Sequence, residues 1–152
     1  MPSTKHYPAL LAKAPLLLAG ILLLTACKGS TEPALSQWEA TLVPEPAGDV
    51  SGRVVALSQP ARTEISILIE IAEAGATYRW RIHSGTCQSD GDMLGGAAQY
   101  PALNPGEGGS AEAQAVISST LRSGAEYSAR VSLAEEGGPE EMVACGNLLQ
   151  VH

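Results

Sequence analysis

Four basic side chains stand in two short alternating segments: Arg79, Arg81 and His83 within YRWRIHS, and Arg130 within YSARVSL. A guanidinium offers a rigid fork of donors that matches carboxylates, so such a strip could hold carboxylates or anionic sugars. The simpler expectation is that these arginines pair across strands with Glu64, Glu70 or Glu126. His83, with Asp90 or Asp92, supplies at most a partial donor set for a single metal ion. Asp90-Gly91-Asp92 offers carboxylate oxygens of the kind calcium takes, but it lacks the further acids of a full calcium loop. Asp-Gly is also ordinary turn chemistry. Nucleophile and phosphate motifs are missing from the sequence. There is no GxSxG elbow, and Gly106-Glu107-Gly108-Gly109 is followed by no lysine. His83 and Ser84 are consecutive and would point to opposite faces of a strand. Neither a cofactor nor a resident metal is expected.

The other chemistry-bearing residues are three cysteines, Cys27, Cys87 and Cys145. Cys27 ends an unusual opening segment. Lys5, His6 and Lys13 give it a positive start, and Leu16–Leu24 (LLLAGILLL) is almost purely aliphatic. That run is too short to cross a bilayer, which needs roughly 20 residues. A basic start, a short apolar centre and small residues before a cleavage point describe an export signal. Leu24-Thr25-Ala26-Cys27 resembles the lipobox of bacterial lipoproteins, in which the cysteine thiol is lipidated and becomes the first mature residue. The resemblance implies a signal peptide over 1–26 and a lipidated tether over 27–36, small, polar and containing Pro33. It also implies a bacterial envelope location, membrane-bound through lipid. Lys28 stands where an aspartate would favour the inner membrane, which points to the outer membrane, facing the periplasm or the surface. An exported chain meets oxidising conditions, so Cys87 and Cys145 most simply form a disulfide. Two thiols on a metal is the alternative, and it lacks nearby partners.

The elements that would position these residues alternate with period two. Trp38, Ala40 and Leu42 share one phase, as do Ile65, Ile67, Ile69 and Ile71, and as do Tyr78, Trp80 and Ile82. Ala111 to Ile117 gives a weaker row, and Tyr127, Ala129, Val131 and Leu133 a clear one. Val50–Leu57 and Met142–Val151 complete seven predicted strands, and Gly and Pro turns separate them. One apolar and one polar face per strand predicts an all-β antiparallel sandwich or barrel over 37–152. Both tryptophans fall in the apolar phase and belong to the core. Ser84–Ser110 is the one long irregular stretch, and a loop of that length is functional or pinned down. Cys87 would pin it, and Tyr100-Pro101 would fold it back over the sandwich. Glu135, Glu136, Glu140 and Glu141 flank Gly137-Gly138-Pro139 as a solvated turn.

Trp80-Arg81-Ile82-His83-Ser84-Gly85-Thr86-Cys87 is similar to the copper/zinc superoxide dismutase stretch in which an apolar-His-apolar-His strand leads to a loop cysteine. Val143-Ala144-Cys145-Gly146-Asn147-Leu148 resembles that family's C-terminal ACG segment, whose cysteine pairs with the loop cysteine. Leu121–Leu133 resembles the strand that supplies another copper-ligating histidine just after a valine. A chordin-type CHRD domain carries a related strand. The resemblance implies a Greek-key sandwich with one disulfide, its third and fourth strands joined across the core rather than as a hairpin.

The departures decide the chemistry. The family builds its two metal sites from six histidines and an aspartate. Here only His83 and His152 follow the signal, Arg81 and Ser132 stand at two ligand positions, and the long loop contains no histidine. Arginine stays protonated and cannot ligate. The expectation is a non-catalytic sandwich with a binding or structural role, met by another envelope protein or a glycan. A degenerate metal-handling or redox protein with one site near His83 is the alternative.

Charge narrows the partners. The 152-residue chain has 9 Lys and Arg against 16 Asp and Glu. Removing 1–26 deletes Lys5 and Lys13 but no acid, moving the formal charge from −7 to −9 over 126 residues. Such an excess, with no basic stripe to displace counterions, argues against nucleic acid.

Overall fold

Seven strands form where alternation predicts them: β1 (Ser36–Pro44), β2 (Ser51–Gln59), β3 (Arg62–Glu70), β4 (Tyr78–Ser84), β5 (Ala111–Ile117), β6 (Tyr127–Leu133) and β7 (Glu141–Val151). The computed structural model describes residues 35–46, 48–134 and 139–152. The predicted signal peptide, Cys27, the tether up to residue 34, Glu135 and Glu136 lie outside the described residues. Ser36, assigned from sequence to the tether, instead opens β1 opposite Ser58 and accepts a hydrogen bond from Trp38 Nε1 at 3.2 Å.

The strands make one curled antiparallel sheet in the order β4-β6-β7-β1-β2-β3-β5. β1 to β3 meander as consecutive neighbours, and β7 returns to lie beside β1. No ladder joins β3 to β4: β3 pairs with β2 and β5, and β4 pairs with β6. The third and fourth strands are therefore joined across the fold, as expected. Curling brings the isoleucines of β3 and the Tyr78, Trp80 and Ile82 row of β4 into one buried core. Each such side chain removed from water contributes about 1.5–3 kcal/mol.

Ile71 does not join its row. The chain leaves β3 after Glu70, and Ile71 takes φ 58° with 70% of its surface exposed. The backbone turns there because Gly109 O captures the Ala72 N–H at 2.9 Å and Tyr78 OH accepts from Glu73 N at 3.0 Å. Period-two patterning carries no record of where a strand stops.

The long connection after β4 plugs the gap between the two edge strands. Leu94 N donates to Ile82 O at 2.8 Å, and Tyr78 and Leu103 exchange backbone bonds at 2.8 and 2.9 Å. Gln99 Nε2, from the 3-10 turn Ala97–Gln99, reaches Val116 O on β5 at 3.0 Å. Tyr100 and Leu103 are buried, with the Tyr100 ring edge-on to Trp80 at 5.0 Å between centroids. Trp80 Nε1 donates to Pro101 O at 2.8 Å, which satisfies the indole while its rings fill the core. Edge groups on β4 are thus paired within the chain instead of being offered to another strand.

Candidate functional site

The predicted basic residues converge on the outward side of β4, β6 and β7. Alternation places Arg79, Arg81 and His83 on that side of β4, since Tyr78, Trp80 and Ile82 point inward. The registers then set three rows across the strands: Arg79 opposite Ser132, Arg81 opposite Arg130 and Cys145, and His83 opposite Ser128 and Asn147. Ser132 is offset by a bulge after Val131 that brings it beside Met142.

Each basic group has a partner inside the molecule. Arg79 and Arg81 share one carboxylate: Glu140 lies 2.5 Å from Arg79 Nη1 and 2.6 Å from Arg81 Nη1. Hydrogen bonds from Arg81 and then Arg79 hold the Glu140 carboxyl well below the usual range, at about 2. The same hydrogen bond raises Arg81. The expected partners Glu64, Glu70 and Glu126 are not used. Glu64 binds Arg62 at 2.9 Å on the other half of the sheet. Glu140 also departs from the solvated turn to which sequence assigned it. It immediately precedes β7, whose pairing with β6 brings it toward the outward side chains of β4.

Arg130 has a different role. Its Nη2 donates to Thr86 O at 3.1 Å and to Ser89 O, while Nε points to Ser128 Oγ at 3.4 Å. His83 Nδ1 is 2.9 Å from Gly91 O, and since a carbonyl only accepts, that nitrogen carries the proton. Residues 85–92 therefore lie over this face, held by an arginine and a histidine from below. Asn147 Oδ1 accepts the Cys87 N–H at 2.8 Å. The Cys87–Cys145 disulfide, with Cα atoms 5.9 Å apart, fastens the same loop to β7. Gly91 is required at the crossing, because a Cβ there would lie 1.5 Å from Ser84 O. The result is a loop-covered face on which Ser128 is completely buried, although its phase in the sequence is polar.

Of the residues singled out from sequence, Arg79 and Arg81 come together, and Arg130 and His83 come together beneath the loop. Asp90 and Asp92 are exposed on the loop's outer side. Among the described residues no group of three or more His, Cys, Asp or Glu side chains is placed to hold a metal ion. Sequence reasoning missed Glu140, Ser128 and Asn147. Asn147 alone left a signal, as a polar residue in the outward phase two positions after Cys145.

A groove of about 400 Å³ opens beside this face, over a floor of Trp38, Tyr127 and Leu148, with Glu126, Gln150 and His152 at its rim. Trp38 and Tyr127 meet edge to face at 5.5 Å. Every described Trp and Tyr is at most 9% exposed. The aromatic rings thus serve packing and leave no stacking platform among the described residues. No protein-family model matches the chain, and a search of curated proteins finds no match either.

Proposed function

We propose that this chain is an exported, lipid-anchored envelope protein whose sandwich, related to that of copper/zinc superoxide dismutase, serves a binding or structural role and not a catalytic one. The observation that carries the reading is the state of the outward face of β4, β6 and β7. The resemblance assigns copper-ligand positions to Arg81 and Ser132, and His83 is the one imidazole left there. Arg81 is bound to Glu140 and His83 Nδ1 to Gly91 O, so the groups that remain hold the loop and the strand ends in place. A guanidinium fixed at a ligand position also repels a divalent cation. The Cys87–Cys145 disulfide supports export to an oxidising compartment. Burial of the aromatic rings favours a protein partner over a glycan, since sugar recognition draws on exposed rings.

Two measurements test this. Mass spectrometry of the mature protein is expected to find Cys27 acylated at its N-terminus. Metal analysis of protein purified without chelator is expected to find neither copper nor zinc in stoichiometric amount. Stoichiometric metal that disappears in His83→Ala would replace the scaffold reading with a metal-handling one.

A further inference from the structure

One corner of the outward face of β1, β2 and β7 is aliphatic and open. Leu35 is 58% exposed, Leu149 71% and Val151 44%. The registers set Val151 and Leu57 on either side of Gln37, and Leu149 and Val55 on either side of Glu39. Five aliphatic side chains, counting Leu35, therefore surround two polar ones. Gln37 Nε2 donates to Glu39 Oε1 at 2.7 Å, so even this carboxylate is partly satisfied within the corner. At its edge Arg53 lines the same groove as Glu39, Val55, Leu149 and Val151, and Glu64, paired with Arg62, stands opposite Leu57, so acids and bases balance.

The same corner is where the chain arrives from Cys27. Leu35 follows Cys27 by eight positions, at most about 28 Å of fully extended chain. Ile71, the other strongly exposed aliphatic residue beyond a strand end, lies past Glu70, which pairs with Ser51 at the far end of β2.

We propose that this corner rests on the bilayer that carries the anchor, with Leu35, Leu149 and Val151 entering the headgroup region. The inference depends on the lipoprotein reading of Cys27. Aliphatic side chains gain by leaving water at the headgroup boundary, and a short tether makes the encounter intramolecular, so a small contact area suffices. The charge pattern selects the lipid. The balance of Glu39 and Glu64 against Arg53 and Arg62 suits a zwitterionic surface, because a strongly anionic one recruits basic clusters.

The test uses the full lipidated protein in vesicles of phosphatidylcholine and phosphatidylethanolamine. An environment-sensitive dye is attached to Leu149→Cys, Leu35→Cys or, as the control, Ile71→Cys. With Cys27 acylated and Cys87 joined to Cys145, the introduced thiol is the one that reacts. The dye at 149 and at 35 is expected to report an apolar setting and to be quenched by spin-labelled lipid, while the dye at 71 stays water-like. Protein that floats with vesicles and carries acyl mass on Cys27, but whose three dyes behave alike, overturns the corner contact and leaves the anchor standing. Protein without acyl mass on Cys27 that fails to float overturns both.

Discussion

The two outward faces of the sheet use their polar phase in opposite ways. On β4, β6 and β7 that phase carries Arg79, Arg81, His83 and Arg130, and all four are engaged by Glu140 or by loop carbonyls. A loop, a disulfide and an ion triad cover the surface there. On β1, β2, β3 and β5 the phase mixes aliphatic Val55, Leu57 and Val116 with polar and charged Gln37, Glu39, Arg53, Arg62, Glu64, Ser66 and Glu112. Val116 is 55% exposed. What differs is what the charged groups hold: on the first face they fasten a long connection through its carbonyls and meet Glu140, whereas on the second Arg62 and Glu64 pair with each other. The other face is free of that duty. Substitutions should therefore cost stability on the first face and little on the second.

The largest effect expected comes from the loop's covalent fastening. Replacing Cys87 and Cys145 by serine releases a loop of 58 residues, and chain entropy puts the loss at about 4 kcal/mol. Urea unfolding of wild type and the double variant measures it. Equal midpoints would mean that the unfolded chain gains nothing from losing the crosslink. Hydrogen exchange adds a spatial check, because amides of 85–92 should lose protection before those of β1 to β3.

Next comes the loop's non-covalent hold. Arg130→Met keeps the packing stem but strands the carbonyls of Thr86 and Ser89. Water reaches these partly exposed groups, so the expected loss is about 2 kcal/mol. An unchanged midpoint with normal exchange at 86–89 would show that the disulfide alone fixes the loop.

How much of this was legible in the sequence follows from the range of each signal. Alternation is local, so Ile65, Ile67 and Ile69 announced β3, and all seven strands were readable. Ile71 broke the pattern because tertiary partners, Gly109 O and Tyr78 OH, end the strand. The disulfide was readable from two cysteines once the opening segment is read as an export signal. Glu140 was not, since two arginines 59 and 61 residues away meet it only once β7 has paired with β6. Ser128 looked exposed from its phase, and only the loop's path over β6 buries it. Gly146 hides a similar long-range demand: a Cβ there would stand 2.4 Å from Thr41 O on β1.

The ion triad should give a smaller and pH-dependent effect. Glu140 is held at about 2 in the folded protein, against 4.5 ordinarily, by its hydrogen bonds to Arg81 and Arg79. A carboxyl lowered on folding stabilises fully above its unfolded value, and that stability is lost as pH falls from about 4.5 toward 2. The arginines are partly exposed, so solvent screening limits the contribution to about 1 kcal/mol. Glu140→Gln should therefore lower the unfolding midpoint at pH 7 and leave it nearly unchanged near pH 2. A variant that loses as much at low pH as at neutrality would assign the effect to packing and not to charge.

The smallest effect belongs to the open face. Val116→Thr keeps β-branching and removes aliphatic surface that is already 55% in water. Its stability should stay within about 0.5 kcal/mol of wild type. Leu149→Ser, at 71% exposure, should behave the same way in detergent-free solution. A loss of several times that size at either position would mean the aliphatic groups are structural, and the contrast between the faces would disappear. If both substitutions are silent in solution, the two faces separate cleanly. Of the two outward faces the loop-covered one then carries the stability, and aliphatic residues at Leu149 and Val116 call for an explanation outside the folded domain, of the kind the proposed bilayer contact would supply for Leu149.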